Sequence, residues 1–174
     1  RTKEGLAGAA KVLLCCCKEI VIIDPNFRAD EPRFRDVLLH FISLLESQEI
    51  KPKRLEIHTK QKRNPKDEYR RGPQESQWRR NILPHLPTGW ELKVCYWDTL
   101  PTGNKPHPRF LITEQGGLYY DQGFDTGKGT TLVTLLEDGV WEGISNIYHQ
   151  EKLPVDLDKD KYVMSFEGGR NCPE

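Results

Sequence analysis

The stretch His107-Pro108-Arg109-Phe110-Leu111-Ile112-Thr113-Glu114 sets a histidine, a cation two positions on and an acid seven positions on. In an extended strand the side chains of i and i+2 leave the same face, so imidazole and guanidinium project together over one phosphate-sized spot. An imidazole supplies a nucleophile or a proton carrier, and a fixed cation holds negative oxygen, which is a pairing suited to phosphate chemistry. A lone histidine between prolines is otherwise an ordinary surface residue. The chemistry therefore depends on a strand that starts here and on a hollow above it.

The surrounding pattern predicts such a strand within an α/β domain. Residues 4–18 are rich in Ala and Leu and read as a helix. Residues 19–24 (EIVIID) form a continuous β-branched run stopped by Asp24-Pro25, the mark of a strand covered on both faces. Phe34, Val37, Leu38, Phe41, Ile42, Leu44 and Leu45 recur at helical spacing behind Pro32, predicting an amphipathic helix over 31–47. A second strand over 53–58 completes a strand–helix–strand unit, which favours a parallel pair with a right-handed crossover. Residues 59–73 read as a long basic loop, 75–86 as a helix, and 90–97 as a strand. Past the breaker-rich residues 101–108, strands are expected at 109–113 and 118–120 around a Gly116-Gly117 hairpin. A glycine loop over 123–129, a strand at 130–136, a helix at 140–149 and a short strand at 162–166 finish the chain.

The spacing of His107, Arg109 and Glu114 resembles the phospholipase D signature, H-x-K-x-x-x-x-D. The resemblance implies that His107 attacks phosphorus to give a phosphohistidine, that Arg109 holds non-bridging oxygens, and that Glu114 orients a histidine. It extends beyond the motif, because Gly123-Phe124-Asp125 is similar to the phosphate loop that follows the signature in that superfamily. A closer likeness is the phospholipase-D-like C-terminal domain of proteins carrying a microtubule-interacting-and-transport domain. That branch shows a strand ending like Asp24-Pro25-Asn26-Phe27-Arg28, then an apolar helix, a second strand and a His-x-Arg strand. Residues 18–149 are covered, which leaves 150–174 as an acidic extension of one domain spanning 1–174.

The resemblance implies a mixed sheet flanked by helices on both faces, with Asp24, Arg28, Gly123 and Asp125 at a ligand site and no cofactor or metal required. It also implies anionic-lipid binding and self-association rather than hydrolysis. Three departures point the same way. Arg109 replaces lysine, so a compact ammonium becomes a planar fork. Glu114 replaces aspartate and adds a methylene, and Asp125 puts a carboxylate where phosphate needs donors, which predicts repulsion unless a cation pairs with it. An active enzyme of this type also needs a second signature to protonate the leaving group, and this chain has one. A twofold-related copy in a homodimer could supply it, giving a metal-independent phosphodiesterase or nuclease. A third reading is a subunit of a larger machine such as a prokaryotic defence complex. His58 and Lys60 repeat the H-x-K spacing at the end of the second strand, as candidate residues at the rim of the site, but the next acid, Asp67, comes nine positions after His58.

Composition bounds these readings. With 174 residues, 36% hydrophobic and 30% charged, the chain suits one globular domain with a real core. The net charge is zero, yet residues 51–80 hold eleven Lys/Arg against four Asp/Glu, whereas 110–174 hold five against twelve. That sorting offers residues 58–80 to nucleic acid or anionic lipid, with a solvated loop as the bland alternative. No apolar run is long enough to span a membrane and no secretory pattern stands out, which reads as a cytoplasmic domain; Arg1 in place of Met is compatible with a longer parent chain. Five cysteines, three of them adjacent at 15–17, make neither a disulfide framework nor a zinc site at recognisable spacing.

Overall fold

The Ile-Val-Ile-Ile run sits where its composition demands, in the middle of a sheet and covered on both faces. The computed structural model describes residues 1–48, 54–60, 71–97, 109–148 and 161–169. Within it, β1 (Glu19–Ile23), β2 (Arg54–Lys60), β3 (Glu91–Trp97), β4 (Phe110–Thr113), β5 (Gly116–Tyr120), β6 (Val133–Leu135) and β7 (Lys161–Glu167) form one mixed sheet in the order β6-β5-β4-β1-β2-β3-β7. The pairs β1/β2 and β2/β3 are parallel, and every other pair is antiparallel. The domain is therefore α/β with a mixed sheet, as expected.

Three helices cover one face. In α1 (Lys3–Leu14) the Thr2 hydroxyl caps the first turn by accepting from Gly5 N at 3.1 Å, and Leu6, Ala7, Ala10 and Leu14 are buried. Helix α2 (Pro32–Glu46) starts with proline in its first turn and buries Phe34, Val37, Leu38, Phe41, Ile42 and Leu45, the stripe that its periodicity predicts. Helix α3 (Arg71–Asn81) adds Trp78 to the same core, which also takes Ile20, Ile22, Leu55, Ile57, Leu111 and Leu118 from the sheet. The opposite face carries α4 (Asp138–Tyr148), whose Ile144 and Tyr148 pack on Ile23, Cys95, Trp97 and Ile112. No helix among the described residues is long and apolar enough to cross a membrane.

Several boundaries differ from the sequence reading for local reasons. Helix α1 stops at Leu14, so Cys15 and Cys16 are exposed beyond it; Cys17 is buried, and that burial pushes its thiol up to about 12. The β4–β5 hairpin turns on Glu114-Gln115, while Gly116 and Gly117 lie inside β5 opposite Thr113 and Ile112. Packing selects glycine at 117, since a Cβ there would come within 2.7 Å of Ile112 Cδ1 and 2.8 Å of Leu136 Cδ1. Strand β6 is shorter than predicted, and α3 begins within the stretch expected to be loop, of which residues 61–70 lie outside the described ones.

Candidate functional site

The end of β1 and the start of β4 meet because their antiparallel register sets Ile23 against Phe110. One residue beyond that pair, at the same end of the two antiparallel strands, come Asp24 and Arg109. Asp24 is 1% exposed; its Oδ1 accepts from Asn26 N at 2.8 Å and its Oδ2 from Phe124 N at 3.0 Å. Burial raises its pKa above the ordinary carboxylate value, outweighing the two backbone donors and the nearby Arg109 charge. The Arg109 guanidinium donates through Nη1 to Asp121 O, while its buried Nε has no acceptor among the described residues.

Gly123 closes the arrangement. Its φ of 87° lies in the left-handed region, and a Cβ there would stand 2.6 Å from Asp24 Oδ2 and 3.0 Å from Arg109 Cδ. Only glycine lets the loop deliver the Phe124 N–H to that carboxylate. Gly123→Ala is expected to cost about 2–3 kcal/mol, combining left-handed strain with crowding at Asp24. Gly129→Ala, at a φ of 98° with nothing within 4 Å of its Cβ, should cost only about 1–2 kcal/mol. Urea midpoints of the two variants check the difference.

Asp125 follows on the same loop, 8% exposed. Arg1 Nη2 lies 3.2 Å from its Oδ1 and Arg33 Nη1 lies 3.3 Å from its Oδ2, so two cations meet the repulsion expected of an acid here. Arg33 also bonds Glu31 at 2.7 Å and lies over the Phe34 ring. Together Arg1, Asp24, Asn26, Arg33, Arg109 and Asp125 line a polar cavity of about 190 Å³. Three guanidinium groups thus face two carboxylates, each of which is already held by protein donors.

The other predicted residues distribute as follows. His107 lies outside the described residues. Glu114 is separated from Arg109 by the whole of β4, roughly 15 Å along an extended strand, and its carboxylate instead accepts from Lys18 N at 2.6 Å and Glu19 N at 3.3 Å. It secures the entry to β1 and does not share the Arg109 cavity, which corrects the role expected for it. Arg28 is tied to Asp30 at 3.2 Å and Glu31 at 3.3 Å, with its pKa raised chiefly by the Asp30 hydrogen bond. With Lys60 it lines a neighbouring cavity rather than this one.

His58 corrects the reading of a rim residue. Two-residue periodicity sends it with Glu56 to the α4 face of the sheet, where it is fully buried. Trp97 Nε1 donates to His58 Nδ1 at 2.9 Å, and His58 Nε2 meets Glu56 Oε1 at 2.9 Å. Arg54 holds Glu56 Oε2 at 2.9 Å, Cys95 Sγ lies 3.6 Å from Oε1, and Tyr148 stands edge-on to the imidazole. Linear spacing concealed this cluster, because Cys95 reaches His58 only through the parallel register of β2 and β3. Ligand atoms of Glu56, His58 and Cys95 lie within 4.8 Å of one another, the geometry of a three-residue metal site. The tryptophan donor decides otherwise. With Nδ1 accepting, the ring proton occupies Nε2 and points at Glu56, leaving no lone pair for an ion; the cluster is a relay from Trp97 through His58 to Glu56.

No protein-family model matches this chain, and no curated protein matches it.

Proposed function

We propose that this domain binds a phosphate-bearing ligand in the Arg109 cavity without turning it over, as a degenerate phospholipase D-like docking module. One observation carries the reading: Arg1, Arg33 and Arg109 converge on a polar hollow whose acids are satisfied from within the protein. An entering anion meets three guanidinium groups and two buried Nε groups, of Arg1 and Arg109, that lack acceptors among the described residues. Arginine forks suit phosphate oxygens. Against turnover, the acid of the motif sits at the other end of β4, where it holds Lys18 N and Glu19 N. The ligand's phosphate would belong to an anionic lipid or a nucleic acid backbone, with the basic residues of 58–80 extending the contact.

Incubating the domain with phosphodiester substrates in chelator, alongside His107→Ala, separates binding from catalysis. Saturable binding without turnover supports the module; turnover abolished by His107→Ala overturns it in favour of the phosphodiesterase. Anionic vesicles and a single-stranded oligonucleotide then distinguish the two phosphate sources. Affinity should also depend on acidity in a definite direction. Protonating Asp24, whose pKa is raised by burial, removes a negative charge beside Arg109, so sulfate should bind more tightly as pH falls through the raised Asp24 value. An affinity that weakens as Asp24 takes up its proton removes Asp24 from the site.

A further inference from the structure

The turn from Asp24 to Asp30 separates two cavities. Beyond Asn26, which is exposed and lines both, a second hollow of about 100 Å³ is bounded by Arg28, Lys60, Gln74, Gln77 and Tyr96, room for several water-sized groups. Its chemistry differs from that of the first. Arg28 is already held by Asp30 and Glu31, and Gln77 Nε2 lies 3.4 Å from Asp30 Oδ2. The Phe27 ring stacks on Trp78 with centroids 5.8 Å apart, and Trp78 Nε1 donates to Tyr96 Oη at 2.7 Å, so the wall behind is rigid and aromatic. Gln74 contributes a buried Oε1 that has no donor among the described residues, an acceptor open to an O–H or N–H.

We infer that the ligand is a phosphate ester whose other half carries hydroxyl groups, the phosphate lying against Arg109 and a hydroxyl donating to Gln74 Oε1 across the Asn26 ridge. This rests on the phosphate reading of the Arg109 cavity and names the ligand class for it. A neutral acceptor with an aromatic wall recognises a sugar or polyol, whereas a second anion would find Arg28 already neutralised by two carboxylates. The same arrangement disfavours esters with a purely apolar alcohol, which would leave the glutamine acceptor buried and unmet.

Calorimetric titration of the whole chain with inorganic phosphate, ethyl phosphate and ribose 5-phosphate tests it. Ribose 5-phosphate should bind about tenfold more tightly than ethyl phosphate, the worth of one well-placed hydrogen bond. In Gln74→Leu that ratio should fall below about twofold while inorganic phosphate binds as before. Gln74→Met provides a second volume-conserving variant, and circular dichroism confirms the fold of both. Equal affinity for the two esters, or a tenfold ratio that survives both substitutions, overturns the inference while leaving phosphate binding intact. Absence of inorganic phosphate binding to the unaltered chain would instead overturn the phosphate reading itself. Vesicles containing phosphatidylglycerol present the same phosphate–diol unit on a surface; retention on them distinguishes a lipid headgroup from a soluble sugar phosphate as the source.

Discussion

Arg109→Gln is expected to weaken inorganic phosphate binding about a hundredfold, or about 2.7 kcal/mol. Glutamine keeps a donor and much of the stem but loses the charge and the fork. A hydrogen bond to a charged partner is worth about 1.5–3 kcal/mol, and here the cation also offsets the buried Asp24 carboxylate. Without it, Asp24 should titrate still higher, so the gain in affinity on acidification should begin at higher pH. Arg109→Lys restores charge without the fork and should recover about half of the lost free energy. Melting temperatures for both variants report whether the Arg109 to Asp121 contact also matters to folding. Wild-type affinity in Arg109→Gln would show that the cavity is not where phosphate binds.

Glu56→Leu is expected to destabilise the fold by about 3–5 kcal/mol, because it strands the buried His58 Nε2–H and removes the carboxylate that Arg54 holds. Glu56→Gln keeps an oxygen for His58 and gives up only the charge, at about 1–2 kcal/mol. The two are also separated by acid titration. Burial pushes the Glu56 carboxyl up, but the His58 hydrogen bond, with Arg54 and Lys93, outweighs it, and the net shift is downward. A carboxylate lowered by folding contributes stability that is complete above its unfolded value of about 4.3 and is lost as pH falls through the folded value. Urea unfolding of the native chain should weaken over that acid window, and Glu56→Gln should lack the corresponding part of the slope. An unchanged slope would mean that Glu56 is not ionised in the folded protein. Phosphate affinity should be unaffected, since the relay and the Arg109 cavity occupy opposite faces of the sheet.

Much of the scaffold is legible in the sequence. Periodicity located β1, α2, β2 and β3 within a residue or two, because a buried strand must be apolar throughout and a half-buried helix must carry one stripe. The parallel β1/β2 pair followed from chain order alone. Short or irregular elements are harder to bound: β6 has three residues, and α3, expected over 75–86, spans Arg71–Asn81 because its first turn, Arg-Gly-Pro, carries no apolar signal. The hairpin glycines lie one step past the turn, Gly116 at a φ of 151° and Gly117 where a Cβ would crowd Ile112, and composition does not tell such positions from the turn itself.

The fold brings Arg109, Asp24, Gly123 and Asp125 to one cavity or its wall, and carries Glu114 and His58 away from it. A strand carries i and i+2 to one face, so short-range pairing can be read directly; five residues on, past the strand's end, the same logic no longer places Glu114 near Arg109. The amino-acid order alone thus settled which groups are available and which neighbours share a face. Register settled the rest, bringing Asp24 beside Arg109, Cys95 beside His58 and Arg33 onto Asp125, since these pairs are joined by hydrogen-bonded strands and packed loops whose alignment no local pattern encodes.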